Sequence, residues 1–171
     1  SGWLIVQSHL KEVSDDLQKT KESVLAKLNN EATQYSRDVV FLATTPPILA
    51  LKNIHADDTS LGGVSTSSQQ WSERLADIFK AYMLSKTDVY QVRFIDAKKG
   101  WQESVKVQRF GDELEVFNQD SFQSKGNEPY ILQTLQVGAS NVYKSDFNLN
   151  REFEKIEHPP RPIWRFSTPL F

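Results

Sequence analysis

Apolar residues recur at steps of three or four along the first quarter of the chain, and charged residues fill the positions between them. This spacing predicts one amphipathic helix over residues 3–45, because residues three and four apart share a helix face. Proline lacks an N–H donor and restricts the residue before it, so the helix should end at Thr45-Pro46-Pro47. At about 1.5 Å per residue it would be about 60 Å long, roughly twice the width of a small domain. We expect a projecting stalk helix; the alternative is a helix that lies along the edge of a sheet.

The helical period returns in three shorter segments. We predict helices over residues 48–54, from Ser67 or Ser68 to about Ser85, and over residues 129–136, where Pro129 suits the first helical turn. Residues 57–68 are rich in Asp, Ser, Thr and Gly, which predicts a loop before the second of these helices.

A period of two replaces the helical period after residue 88. It predicts three antiparallel strands that follow one another, over residues 89–95, 105–110 and 113–117. Two later strands are expected over residues 142–145 and 162–167, the last approached by three prolines. The succession predicts an α+β fold in which the long N-terminal helix precedes helices packed on one antiparallel sheet.

Composition removes several classes of function. The net charge is −2 with no block of Lys and Arg, so we expect neither nucleic-acid binding nor attachment to an anionic membrane surface. The absence of cysteine excludes disulfides, zinc-thiolate sites and thiol nucleophiles, and leaves the compartment open. Three scattered histidines have no metal-ligand or catalytic spacing. We expect no catalytic residues, no metal and no cofactor.

Both ends of the chain look cut. The chain begins at Ser1-Gly2 rather than at methionine and stops at Phe171 within an apolar run, so we expect a fragment of a longer protein. Residues 3–6 are apolar but too few to span a bilayer, and they fit the end of a transmembrane helix that precedes them.

Six segments carry a resemblance through their order rather than through any one motif. They are FLATTPPI at 41–48, WSERLADIF at 71–79, YQVRFID at 90–96 running to Gly100, YKSDFNLNRE at 143–152, PPRPIWR at 159–165, and Thr168-Pro169. This succession covers nearly the whole chain and resembles the membrane-distal module of a bacterial extracytoplasmic sensor of the Cache type, also called a PAS-like periplasmic or PDC domain.

The resemblance implies a stalk helix over residues 1–45 that leaves the inner membrane and a PAS-like sensor domain over residues 46–171 in the periplasm. Such receptors control a histidine kinase of a two-component system, a diguanylate cyclase or a chemotaxis module, and often carry a second sensor module. The usual chain continues into a further turn and strand, so the sheet here is expected to be incomplete. After Gly100 these domains often have a glutamate and then an arginine-bearing strand; here Lys106 takes the place of that arginine.

Charged side chains on the predicted meander are the first candidates for a ligand site. Arg93, Glu103, Lys106 and Arg109 lie on adjacent strands. A pocket for an amino acid or a dicarboxylate needs cationic donors that converge, and arginine presents a planar fork that matches a carboxylate. Arg93 and Lys106 meet this need only if they share a face of the sheet. The alternative is a solvent-facing row of cross-strand ion pairs that contributes little.

Aromatic and polar residues complete the candidate set. Trp101 and Tyr130 lie beside predicted turns and are expected to line the mouth of a pocket, whereas core packing is expected for Tyr90 and Trp164. Ser145 and Asp146 end a strand, where they either reach the amino group of a ligand or cap the following turn. The candidate ligand-binding residues are Arg93, Trp101, Glu103, Lys106, Tyr130, Tyr143, Ser145 and Asp146.

Two functions of different classes fit these patterns. The first is a ligand-sensing periplasmic domain of a membrane receptor, which binds a small molecule such as a carboxylate or an amino acid and forms a homodimer through the long helix. The second is a dimerisation or protein-partner module that binds no small molecule. Nothing in the sequence supports an enzyme beyond the formal possibility of chemistry near Glu103.

Overall fold

The computed structural model describes residues 11–54 and 66–171, with side chains described from Asp16 and from Ser67 onward. The apolar run at residues 3–6 and most of the loop expected over residues 57–68 lie outside the described residues. In the described ranges, no helix is both long enough and apolar enough to cross a membrane.

Helix α1 spans Lys11–Ala43 and is 33 residues long, which corresponds to about 50 Å. Side chains 16–27 are all exposed, and Ala32 and Leu42 are the buried positions on the described part of the helix. The helix therefore packs against the rest of the chain over its last turns and extends beyond it over its first turns. The long N-terminal helix is confirmed; an edge helix that lies along the sheet over its whole length is not what the structure shows.

Helices α2 (Pro46–Asn53) and α3 (Thr66–Ser85) build the apolar core together with the end of α1. Proline occupies the first positions of α2, where no N–H donor is needed. In α3, the side chains of Leu75, Phe79 and Met83 are almost completely buried. Their spacing of four residues places them in one stripe, as the sequence pattern predicts.

Three antiparallel strands in sequence order form the central sheet. They are β1 (Gln91–Asp96), β2 (Gln102–Phe110) and β3 (Glu113–Val116). A single 3-10 turn follows β1, closed by Gly100 at φ 69°, and Gly111 takes φ 59° between β2 and β3. Both turns need a left-handed residue, which glycine adopts without strain. The predicted meander is confirmed, although β1 begins two residues later and β2 three residues earlier than expected.

The C-terminal part adds helix α4 (Pro129–Gln136) at its predicted position and six strands of two residues each. These strands pair from the outside inward, β4 with β9, β5 with β8 and β6 with β7, to make an irregular antiparallel arm. The strands are β4 (Tyr143–Lys144), β5 (Asn148–Leu149), β6 (Arg151–Glu152), β7 (Lys155–Ile156), β8 (Pro162–Ile163) and β9 (Phe166–Ser167).

The single strand expected over residues 162–167 is wrong, since β8 and β9 are separate. Ser145 explains the break: its side-chain Oγ accepts a hydrogen bond from the Arg165 amide at 3.0 Å, and its carbonyl accepts one from Trp164 Nε1 at 2.7 Å. The backbone bond from the Ser145 amide to the Arg165 carbonyl at 3.0 Å remains, and side-chain groups supply the other bonds between the two strand pairs. The turn expected over residues 148–150 is also wrong, because Asn148 and Leu149 form β5.

The two faces of the central sheet differ in character. Phe94, Val105 and Val107 point to the side covered by α2 and α3 and join the apolar core. The opposite face carries Lys106 and Gln108, which are nevertheless buried. Burying polar side chains requires partners, and the segments that cover this face supply them. The α+β fold is thus confirmed, while a domain boundary between residues 45 and 46 stays a prediction.

Candidate ligand-binding site

A β-bulge brings Arg93, Glu103 and Lys106 to the same face of the sheet. Arg93 pairs directly with Lys106 across β1 and β2, so the two cations share a face as a carboxylate site requires. Glu103 lies three residues before Lys106, and a regular strand would turn it to the opposite face. The register shifts between Phe94 and Ile95, which leaves Ser104 as the extra residue and returns Glu103 to the Arg93 face.

Two ion pairs neutralise part of this face. Arg93 Nη1 lies 3.1 Å from Glu103 Oε1, whose side chain is completely buried. Lys106 Nζ lies 3.4 Å from Glu152 Oε2 and 4.4 Å from the centre of the Phe117 ring. Because Lys106 is only 1% exposed, the solvent-facing row of ion pairs considered for the sequence is not formed. Buried pairs of this kind are costly to break from one side.

The segment before α4 contributes two further buried polar side chains. Gln123 donates from its amide N–H to Glu103 Oε2 at 3.0 Å and from Nε2 to Glu152 Oε2 at 2.5 Å. Lys125, 2% exposed, donates from Nζ to Gln123 Oε1 at 2.8 Å. Gln123 therefore connects the sheet to the arm through its side chain and its backbone.

Tyr130 and Arg165 contribute polar atoms that are buried without a partner. The Arg165 guanidinium carbon lies 5.1 Å from the centre of the Tyr130 ring, and that of Arg93 lies 5.9 Å from it. Among the described residues, neither Tyr130 Oη nor Arg165 Nε has a hydrogen-bond partner. A buried donor without an acceptor is costly and rare in native proteins. We call the eight residues Arg93, Glu103, Lys106, Gln123, Lys125, Tyr130, Glu152 and Arg165 the buried charge cluster.

The electrostatics of the cluster favour an additional anion. Burial lowers the pKa of the Lys125 ammonium, and the positive charge of Arg93 lowers it further. Burial likewise lowers the pKa of the Arg165 guanidinium. For Glu152, burial alone would raise the pKa, but the hydrogen bond from Gln123 and the charge of Lys106 lower it overall. The cluster is thus a place where a carboxylate is held ionised and cations repel one another.

A cleft of about 350 Å³ opens at the edge of the cluster. Its walls come from the segment before α4 and from the hairpin formed by β6 and β7, and they include Phe122, Gln123, Ser124, Lys125, Glu128, Phe153 and Glu154. Cavities of this order hold small molecules, so the cleft gives a small ligand access to the cluster.

The remaining predicted residues divide into two groups. Trp101 lies against Gly126 and accepts a hydrogen bond from the Lys125 amide on its carbonyl at 2.9 Å, which places it beside the cluster. Ser145 touches the cluster only through the backbone of Arg165. In the described part of the chain, no hydrogen bond or ring contact joins Tyr143 or the exposed Asp146 to it.

The geometry bears on two further residues. Tyr130 is half-buried, with its hydroxyl buried and its ring near both arginines, and its place at a pocket mouth stays a prediction. Arg109, grouped with Arg93 from its strand position, extends instead to the end of α3, where its guanidinium donates to the carbonyls of Met83 and Lys86. Cations often satisfy the last carbonyls of a helix in this way.

Four members of the cluster were not singled out from the sequence: Gln123, Lys125, Glu152 and Arg165. They come from a loop and from irregular strands, where no hydrophobic period indicates which way a side chain points. The one available signal was the proximity of charged residues to prolines and glycines, at Lys125-Gly126 and at Pro162 to Arg165. Within residues 11–54 and 66–171, no three acidic or histidine side chains are grouped closely enough to hold a metal ion.

A chain of aromatic contacts leads from the cluster to α1. Arg165 is flanked by Trp164 and Phe166, whose rings lie 4.9 Å apart, centre to centre. Phe166 in turn lies 5.4 Å from the ring of Tyr35 on α1. The Tyr35 hydroxyl donates to Asp88 in the segment between α3 and β1. These contacts connect the segment around Arg165 to the long helix.

Comparison with known proteins shows the fold. No protein-family model matches the sequence, and no curated protein matches it significantly. Two solved structures are similar. One is a domain of a protein described as belonging to the sensory box/GGDEF family of Vibrio parahaemolyticus, with a TM-score of 0.71 and 15% identity over 94% of this chain. The other is described as the extracellular domain of the histidine kinase vpHK1S-Z8, with a TM-score of 0.68 and 14% identity over 92% of this chain.

The chain spans 54% of the length of each of these structures. At this level of identity the likeness is one of fold, and it confirms the resemblance to Cache-type sensor domains in that respect.

Proposed function

We propose that this chain is the periplasmic, membrane-distal sensing module of a transmembrane receptor, and that it binds a small carboxylate at the buried charge cluster. The observation that carries the proposal is that Tyr130 Oη and Arg165 Nε are buried without partners at the cluster; among the described residues, Ser104 Oγ on β2 is the third such atom. A ligand oxygen placed between Tyr130 Oη and Arg165 Nε would satisfy both donors. The cluster holds four cationic side chains and two carboxylates. Arg93 and Lys106 form the ion pairs, and the charges of Lys125 and Arg165 favour an anion over a neutral ligand.

Signal transmission in this proposal follows the aromatic contacts to the stalk. A ligand that engages Arg165 would bias the position of β9, and Phe166 would pass that change to Tyr35 on α1. Ligands shift such equilibria only by binding one arrangement better than the other. The helix would then carry the change toward the membrane and a cytoplasmic kinase or cyclase.

The proposal is tested by a thermal-shift screen of the purified chain against amino acids, dicarboxylates, other small carboxylates, amines and sugars. A ligand at a hundred times its dissociation constant stabilises the native state by about 2.7 kcal/mol, which is readily seen. We expect carboxylates to raise the melting temperature and amines and sugars to leave it unchanged. Silence from every carboxylate would refute the proposal.

Arg165→Gln should weaken binding of the carboxylate with the largest thermal shift by more than tenfold, because it removes a cation that forms no ion pair within 4.0 Å among the described residues. Arg93→Gln and Lys106→Gln should also weaken it, but they strand Glu103 or Glu152 and so perturb the fold as well. The matched control is Arg151→Gln, an exposed arginine on the same arm. Equal affinity of Arg165→Gln and wild type would reject the pocket.

A second candidate function is a dimerisation or protein-partner module without a small ligand. It is favoured by large apolar side chains that α1 exposes: Leu17 is 55% exposed, Leu25 43% and Phe41 67%. A groove of about 840 Å³, lined by residues of α1 and by Val142 and Lys144, runs beside the helix. Sedimentation separates this function from the first, since removal of the residues before Thr33 should abolish a dimer that the stalk forms.

A further inference from the structure

Glu152 is surrounded by more donors than an ordinary ion pair provides. Its carboxylate accepts from Gln123 Nε2 at 2.5 Å, from Gln91 Nε2 at 3.3 Å and from Asn150 Nδ2 at 3.4 Å, beside the ammonium of Lys106 at 3.4 Å. These donors come from β1, β2, the segment before α4 and the arm itself. They use most of the acceptor positions that one carboxylate offers.

Each of the donors also has contacts to groups other than Glu152. Lys106 projects from the middle of β2, and its ammonium lies over the ring of Phe117. Gln91 donates to Gln108 Oε1 at 2.7 Å, and Gln123 Oε1 accepts from Lys125 Nζ at 2.8 Å and from the Phe153 amide of the hairpin at 3.0 Å. The chain therefore has a preformed position for a carboxylate, built on the sheet and on the segment that crosses it.

The carboxylate that fills this position is carried by a weakly anchored hairpin. Strands β6 and β7 have two residues each, and the apolar side chains of Phe153 and Ile156 are 71% and 43% exposed. Phe153 and Glu154, which form the turn, have φ angles of 50° and 64°, a left-handed conformation that is strained for residues other than glycine. Polar contacts, more than apolar burial, keep the hairpin in place.

We infer that Glu152 occupies from within the chain a binding position for the carboxylate of a ligand, and that the β6–β7 hairpin must withdraw it when such a ligand binds there. The inference rests on the proposed function in taking the ligand to be a carboxylate. Hairpin residues Phe153 and Glu154 also line the cleft beside the cluster. Withdrawal of the hairpin would therefore open the cleft toward Lys106, and the entering carboxylate would take over the donors that Glu152 releases.

The inference is tested by replacing the tethered carboxylate with a free one. Glu152→Ala removes the CH2–COO⁻ end of the side chain and leaves Cβ. Propionate carries the same CH2–COO⁻ group with one further carbon, and propionamide is the neutral control of the same shape. We expect propionate, titrated by calorimetry, to bind Glu152→Ala at least tenfold more tightly than wild type, and propionamide to show no such gain. Glu113→Ala, at an exposed glutamate on β3, is the matched control with the same charge change, and it should bind propionate as wild type does.

Glu152→Gln keeps the experiment decisive if the alanine variant does not fold, since it preserves the shape of the side chain and removes its charge. Propionate should bind this variant at least threefold more tightly than wild type. Equal propionate affinity in the Glu152 variants and wild type, or an equal gain with propionamide, would overturn the inference. If a carboxylate binds wild type and binds the Glu152 variants no more tightly, the role of Glu152 is refuted and the proposed function stands. Propionate binding to Glu152→Ala with no ligand for wild type would refute the sensing function instead.

Discussion

Lys106→Met removes one charge from a buried ion pair that joins the central sheet to the arm. The methionine keeps the length of the lysine stem, so the main changes are the loss of the ammonium beside Glu152 and of its contact with the Phe117 ring. Glu152 then keeps its hydrogen bonds from Gln123, Gln91 and Asn150 but loses its countercharge.

The magnitude follows from the burial of both partners. Breaking a fully buried pair from one side costs about 3–5 kcal/mol. The Lys106 side chain is 2% exposed but that of Glu152 is 18% exposed, and the remaining donors offset part of the loss, so we expect a cost of about 2–3 kcal/mol. Glu152→Gln should cost a similar amount, because it leaves the ammonium of Lys106 buried against an amide. The double variant, Lys106→Met with Glu152→Gln, leaves no buried charge without its partner. Its loss of unfolding free energy should be smaller than the sum of the two single losses by about 1–2 kcal/mol.

Urea unfolding at neutral pH, followed by far-UV circular dichroism, measures all four proteins of this cycle. Unchanged m-values would show that the variants alter stability rather than compactness. Lys99→Met, at an exposed lysine, is the control and should change the free energy of unfolding by less than about 0.5 kcal/mol. If the two single costs simply add within about 0.5 kcal/mol, the pair does not act as a unit and the reasoning fails.

Three further predictions concern the core, the tyrosines and the hairpin. Leu75→Ala, at a side chain with no exposed surface, should lower the free energy of unfolding by about 3 kcal/mol; a loss below about 1 kcal/mol in a urea titration would contradict the packing described. The Tyr82 phenol, whose pKa is raised by burial and by its hydrogen bond to Asp38, holds its proton more tightly in the folded chain. The stability that this group contributes should thus be fully present below pH 10 and be lost as the pH rises further, and the melting temperature of Tyr82→Phe should fall less than that of wild type. Identical melting profiles of the two proteins from pH 8 to 12 would refute this. Replacing Phe153-Glu154 by Asn-Gly, the pair best suited to two left-handed turn residues, should raise stability by about 1 kcal/mol, measured as a higher melting temperature, and an unchanged one would argue against turn strain.

Elements with a long, regular hydrophobic pattern could be predicted from the sequence. Helix α3 was found because Leu75, Phe79 and Met83 repeat on one face, and the meander was found because its strands alternate and are closed by Gly100 and Gly111. In these elements the local hydrophobic pattern and the tertiary packing favour the same secondary structure, so packing does not override the pattern. The two-residue strands of the arm carry no such pattern.

The candidate site was predicted only as far as strand register could be inferred. Arg93 and Lys106 share a face because they pair directly, whereas the position of Glu103 depends on a bulge that no residue type at 103–105 signals. Glu152 lies on a strand of two residues and Arg165 lies between two such strands, so neither belongs to a ladder long enough to show which way its side chain points. Contacts between residues so far apart in the chain leave no local trace in the sequence.

The left-handed turn at Phe153 and Glu154 has a consequence for how such a module could evolve. A substitution there lies outside the set of donors that hold a carboxylate, yet it alters how firmly the hairpin holds Glu152 in place. If Glu152 competes with the ligand, each kcal/mol gained by the closed hairpin raises the ligand concentration at half response by about fivefold. The threshold of the receptor could therefore drift between lineages through two surface residues, while its chemical selectivity stayed the same.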